Sequence, residues 1–245
     1  MPGKSTQFLI DMEKVLVFDV WSEYAHFRKF FTTTSPLTFS LPPRTALCGL
    51  MGAILGFPKE TYLSKFQRKD ANFAVRLMKP VKKVRFSENL IDTDSVKTMN
   101  IIKQHTRIKF EFLKDAKFRI YFSHSDPDIY STAREMISTH KCVYTPCLGI
   151  SEHIANFSYI GEYPLKKIER PTEVALDSII PKDQISQIQF ESGKEYMTET
   201  LPNEMAEDRT VNDYQEFMFE RNCKPISACV NYFYELGNND RILFM

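Results

Sequence analysis

Two stretches of this chain read as helices, and each opens on a proline among strand-like runs. Pro42 and Pro43 start the first, because proline suits the first helical turn, and Arg44-Thr-Ala-Leu-Cys-Gly-Leu-Met-Gly-Ala-Ile-Leu55 carries it to Gly56 and Pro58, where it stops. Gly49, Gly52 and Gly56 recur at i, i+3 and i+7, so they share one face. A glycine face costs helix stability and therefore demands a close neighbour, either a sheet or a ligand backbone. Ser125 or Asp126 caps the second helix, which runs from Pro127 to about Thr139.

The strands follow from alternation and β-branching. Lys14-Val-Leu-Val-Phe-Asp-Val20 reads as a strand at least half buried. Trp21 to Ser40 is polar, aromatic and rich in Thr and Ser, a long loop. Ala71 to Phe86 alternates as a strand, with Pro80 marking an edge or a bend. Further strand signals lie at Thr106 to Phe112, Lys117 to Ser123 and Val143-Tyr-Thr. The resulting order, β-α-β-β-α-β, predicts an α+β, ferredoxin-like (RRM-like) palm. Its polar excursion, residues 87–104, projects as a hairpin or flap between the second and third strands. Past Pro164 the signals weaken to short strands at Ile185–Phe190, Ser227–Tyr234 and Arg241–Met245. The expected division is a palm over residues 1–165 and a small β-rich annex over 166–245.

Net charge is +1, yet residues 1–122 hold 21 Lys/Arg against 11 Asp/Glu, and residues 123–245 hold 11 against 20. The halves therefore differ as +10 and −9, an asymmetry that points to a nucleic-acid surface in the first and to protein neighbours or solvent for the second. An odd count of 5 cysteines argues against a disulfide framework and for reduced thiols in a cytoplasm. The longest uncharged apolar stretch, Thr45 to Pro58, is too short to cross a bilayer, and the first residues lack a targeting pattern. A cytoplasmic protein with no membrane contact is expected.

Two clusters carry candidate chemistry. Tyr24, His26, Phe27, Arg28 and Lys29, then Thr32 to Ser35, then Arg44, combine stacking rings, phosphate-neutralising cations and hydroxyls beside a helix start. A solvated loop whose rings anchor it to the core is the plainer reading of the same residues. The second cluster is the basic stretch from Lys59 to Arg119, with 16 Lys/Arg against 7 Asp/Glu. Within it Lys83 and Arg85 would line one side of a strand, and Arg107 and Lys109 one side of another. Catalytic signals are thin. Tyr24, His26 and Lys29 fit metal-independent RNA cleavage by general acid–base chemistry, whereas His140, Cys142 and Cys147 make only half a metal site. No catalytic residue, cofactor or metal is expected.

At Phe18-Asp-Val-Trp-Ser-Glu-Tyr-Ala-His-Phe-Arg-Lys29, Thr32-Thr-Thr-Ser-Pro36 and Pro42 to Gly56 the chain resembles the CRISPR-associated Cas-five family of the RAMP superfamily, in the form found in type I-B Cascade complexes. Glu111 to Phe122 and Pro146-Cys-Leu-Gly-Ile-Ser-Glu152 extend the resemblance. It implies a palm with a thumb at 87–104, a non-catalytic subunit that caps the backbone filament in antiviral defence and holds the 5′ handle of the CRISPR RNA. Backbone and large subunits would be its protein partners, and target DNA would be reached indirectly. By motif match, Tyr24, His26, Phe27, Arg28, Lys29, Arg44, Thr45 and the Gly49 face would touch the handle, with Ser35 and the basic strands beside them. A glycine-rich loop is not obvious; only Gly149 stands in for it. Type I-C relatives cut repeat RNA themselves, so an endoribonuclease is the alternative, and a generic protein-interaction domain is the third.

Overall fold

Six consecutive residues of the first strand, Val15 to Val20, are buried, so that strand has a packed layer on each side. The computed structural model describes residues 14–32, 34–91 and 105–245. In order they form β1 (Lys14–Ala25), α1 (Arg44–Leu55), the single turn α2 (Tyr62–Lys65), β2 (Ala71–Leu77), β3 (Lys83–Ile91), β4 (His105–His124), α3 (Pro127–Ser138) and β5 (Asn156–Ile168). Then come β6 (Thr172–Leu176), β7 (Ile180–Pro181), β8 (Ile185–Ile188), β9 (Tyr196–Met205), β10 (Val211–Glu220), β11 (Ile226–Val230), β12 (Phe233–Leu236) and β13 (Arg241–Ile242). The fold is mixed and strand-rich, with few helices.

The main sheet has the order β13-β12-β5-β1-β4-β2, with β3 also pairing β4, and its pairs are antiparallel. Leu16, Phe18 and Val20 face a core filled by Leu47, Met51 and Ile54 of α1 and by Ala133 and Ile137 of α3. Val15 and Val17 face the other way, against Tyr121, Tyr234, Leu236 and Ile242. Asp126 caps α3, its side chain accepting from the backbone N–H of Asp128 and Ile129.

Several expectations need correction. The run from Ala71 to Phe86 is two strands, because the chain bends over residues 78–82 around Pro80. The signals at Thr106 and Lys117 belong to one strand of 20 residues, β4, which passes Asp115 at φ 55°. Val143-Tyr-Thr is not a strand: the N–H groups of Val143 and Tyr144 donate to Ile54 and Ala53 carbonyls at the end of α1. The strand expected there is β5, further on. Of the excursion at 87–104, residues 87–91 continue β3, and 92–104 lie outside the described residues.

The boundary expected at residue 165 falls inside β5. β12 pairs with β5, and Ile179, Leu201, Phe217, Phe219 and Met245 enter the same core as α1. The C-terminal strands also hold a core of their own, around Leu176, Ile226, Val230 and Phe233. Their acidic side chains do not simply face solvent. Asp177 and Asp240 pair with Arg76, Glu199 with Lys29 and Lys83, and Asp213 with Arg68. Part of the charge asymmetry along the sequence is thus neutralised across the fold.

Candidate nucleic-acid interface

β3 and the first part of β4 make a two-stranded hairpin whose register sorts its side chains by chemistry. Val84, Phe86, Glu88 and Leu90 stand opposite Phe112, Phe110, Ile108 and Thr106. The other face carries Lys83, Arg85, Ser87 and Asn89 opposite Leu113, Glu111, Lys109 and Arg107. Residues two apart on a strand share a face, and cross-strand partners share it too. One register therefore gathers all four strand cations named from the sequence.

The aromatic face is anchored at its base. Phe86 and Phe112 stack with centroids 4.4 Å apart, and Phe110 lies 5.7 Å from Phe112. Tyr24 meets Phe86 edge-on at 5.5 Å, so its ring is half-buried in this cluster. His26 and His153 flank Phe112 at 5.6 and 5.0 Å. His26 is buried, and its Nδ1 is 2.8 Å from the Glu111 carbonyl. Burial lowers its pKa, an effect the Glu111 carbonyl only partly offsets. Burial also lowers the pKa of His153, with His26 adding to the shift.

The basic face divides in two. At its base Glu111 takes Arg85 through two nitrogens, at 3.0 and 2.8 Å, and lies 3.5 Å from Lys83. Burial alone would raise the Glu111 carboxyl, but the Arg85 hydrogen bond and the Lys83 charge hold it below the usual carboxylate range. Glu199, brought in by β9, accepts from the Ser40 backbone at 2.7 Å and from Lys29 at 3.3 Å, with Lys83 at 3.6 Å. Lys83 also donates to the Thr38 carbonyl at 2.8 Å. Further out, Arg107 and Lys109 are exposed and enter no ion pair among the described residues.

The residues named from the loop and helix fare differently. Phe27 is buried among core side chains, and its N–H donates to the Thr38 hydroxyl. Arg44 is buried: its guanidinium donates to the carbonyls of Phe66 and Ala71 at 2.8 Å each and of Asn203 at 3.4 Å, and lies over the Phe73 ring. The start of α1 is thus interior, and Arg44 ties β9 to the palm instead of facing a phosphate. The close neighbour of the glycine face is neither the expected sheet nor a ligand backbone but the Tyr62 side chain of α2: a Cβ at Gly52 would lie 3.0 Å from it, and one at Gly49 3.9 Å from its hydroxyl. Thr45 is half-buried, while Arg28 and Ser35 are exposed, with Arg28 donating to the Thr32 carbonyl.

Gly149 has a definite structural task. Its φ is 98°, and a Cβ there would sit 1.8 Å from the His26 carbonyl oxygen. The loop around it presses on the end of β1, where the His26 N–H donates to the Leu148 carbonyl. Glu111, Glu199 and His153 were not singled out from the sequence. The alternation around Phe86 and Phe110 could have revealed the aromatic face, but Glu199 is joined to Lys29 across 170 positions and leaves no local signal. Among the described residues no group of three His, Cys, Asp or Glu side chains is placed to hold a metal, and no helix is long and apolar enough to cross a membrane.

The architecture is shared with a solved structure. A CRISPR protein from Archaeoglobus fulgidus superposes with a TM-score of 0.54 at 11% identity, over 94% of this chain and 97% of that one. A chain of a CRISPR RNA-guided surveillance complex gives 0.48 at 13% identity, over 86% and 91%. A chain of the type III-B Cmr-beta complex bound to cognate target RNA and AMPPnP gives 0.49 at 13%, over 88% and 86%. No curated protein matches. The family described as CRISPR-associated protein (Cas_Cas5) matches residues 15–222, most of the chain, and the protein belongs to that family.

Proposed function

We propose that this protein is a non-catalytic RNA-binding subunit of a type I-B CRISPR interference complex, one that holds the 5′ handle of the CRISPR RNA at one end of the backbone filament. The observation that carries this reading is the basic face of the β3–β4 hairpin, where Arg107 and Lys109 stand exposed on one face. Cations on one face of a projecting ribbon suit the regular phosphates of a strand, and a polyanion contacted this way is read by backbone and shape. The sheet order β5-β1-β4-β2, with α1 and α3 in its two crossovers, supports a ferredoxin-like palm beneath the ribbon.

The endoribonuclease alternative needs Tyr24, His26 and Lys29 at one scissile phosphate. The buried ring of His26 and the Lys29–Glu199 ion pair favour the binding role instead. The test is a tagged pull-down from the native host with sequencing of bound RNA and identification of co-purifying proteins. RNAs sharing one 5′ end are expected. Heterogeneous RNA without handle enrichment would count against the reading, and repeat-RNA cleavage in chelator by the clean protein would replace it with the nuclease.

A further inference from the structure

The loop that follows β1 leaves two phenylalanines in solvent. Phe30 is 60% exposed and Phe31 62%, while Tyr214 of β10, brought beside them by the fold, is 41% exposed. Phe30 meets Phe31 edge-on at 5.3 Å and Tyr214 at 4.9 Å. Three large rings clustered from distant segments and left open to water mark a contact site.

The surroundings identify the chemistry of the occupant. The loop is pinned to the hairpin base: Arg28 bridges Thr38, and the Glu111 N–H donates to the Pro36 carbonyl at 3.0 Å. The rings therefore sit on a loop fixed to the base of the hairpin that carries the basic face. Lys29 sits 5.9 Å from the Phe31 ring, and the exposed Ser35 hydroxyl shares the loop. Carboxylates near Tyr214 do not reverse the field, because Asp213 is paired with Arg68 at 3.2 Å and Glu216 with Lys182 at 2.9 Å. Rings adjoining a row of cations are what single-stranded nucleic acid requires, with bases stacked on the first and phosphates on the second.

We propose that Phe30, Phe31 and Tyr214 form a stacking platform for unpaired bases of an RNA strand whose phosphates run along Lys109 and Arg107. This rests on the RNA-binding reading and adds to it the site that receives bases. The aromatics singled out from the sequence, Tyr24, His26 and Phe27, are packed against other rings or in the core, so the platform replaces them as the stacking element.

The experiment is fluorescence anisotropy of the full chain with a labelled single-stranded RNA, over a series of salt concentrations. The forms compared are wild type, Phe30→Leu/Phe31→Leu, Phe30→Trp/Phe31→Trp and Arg107→Ala/Lys109→Ala. Leucine keeps an apolar surface but removes the π face, and is expected to weaken binding roughly tenfold or more with an unchanged salt slope. Tryptophan is expected to retain the affinity. If the leucine variant binds RNA like wild type while the Arg107/Lys109 variant does not, the platform falls and the RNA reading stands. If the leucine variant binds RNA normally but no longer joins its protein partners in the host, the rings are a protein contact and the proposal is overturned. If wild type binds no RNA, both readings fall together.

Discussion

The two ends of the β3–β4 hairpin are both basic in sequence and opposite in their use of charge. At the base, Lys29, Lys83 and Arg85 converge on Glu111 and Glu199, and the ammonium of Lys83 also reaches a backbone carbonyl. Further out, Arg107 and Lys109 stand in solvent. A lysine held by a carboxylate has given up much of what it could offer a phosphate, whereas an unpaired one can neutralise a phosphate and release the counterions condensed on the nucleic acid. The basic count over a segment thus overstates its binding capacity, and the difference lies in where the fold puts the acids.

Arg44 takes the base's behaviour to its limit and gives the largest expected effect. Arg44→Ala strands three buried carbonyl acceptors and opens a cavity, and is expected to cost about 3–5 kcal/mol in urea denaturation. Arg44→Lys should rescue little, since one ammonium cannot reproduce the fork. A wild-type midpoint for Arg44→Ala would mean that the guanidinium does not tie β9 to the palm. Gly149→Ala comes next. It combines a positive φ with a Cβ inside the van der Waals radius of the His26 oxygen, and should cost roughly 3 kcal/mol by the same measurement.

Glu199→Ala sharpens the comparison directly. Losing the acceptor of the Ser40 N–H and of Lys29 should cost about 2 kcal/mol, while Arg107→Ala/Lys109→Ala should stay within about 0.5 kcal/mol. Equal costs would erase the distinction between the two ends.

How much of this was legible depends on the range of the signal. Both helices announced themselves through Pro43, Pro127 and the Asp126 cap, because proline geometry and capping are local. β1 was visible only as far as Val20, its last residues Trp21 to Ala25 reading as loop, and β4 only as two separate signals. That Lys83 shares a face with Arg85, and Arg107 with Lys109, followed from a period of two; that all four share one face came only from the cross-strand register. The fate of each cation was not legible, since it depends on partners such as Glu199 and Asp240, more than a hundred positions away from Lys29 and Arg76. Val143-Tyr-Thr misled because two β-branched and aromatic residues also suit an extended segment closing the end of α1. Arg44 misled because a cation at a helix start reads as a phosphate contact until the packing around it is known.

A graded effect on stability is expected from pH. The pKa of His26 and of His153 is lowered below the ordinary 6.5 in the folded protein, so each stays neutral while the unfolded chain takes a proton. Stability is full above about pH 6.5 and falls as pH drops through the window toward the lowered folded values, by at most about 1.4 kcal/mol per pH unit for each group. Thermal denaturation between pH 7.5 and 5 should show this decline, and His26→Gln should flatten it. A Tm that rises on acidification would contradict the burial of these rings at the hairpin base.

The salt dependence of RNA affinity tests the central contrast most directly. Removing Arg107 and Lys109 should lower the slope of log K against log salt by about 0.7 for each phosphate no longer neutralised, with the Tm unchanged. Removing Lys29 and Lys83 should lower the Tm and leave the slope near its wild-type value. The opposite pattern, with the slope carried by Lys29 and Lys83 and unaffected by Arg107 and Lys109, would contradict the account.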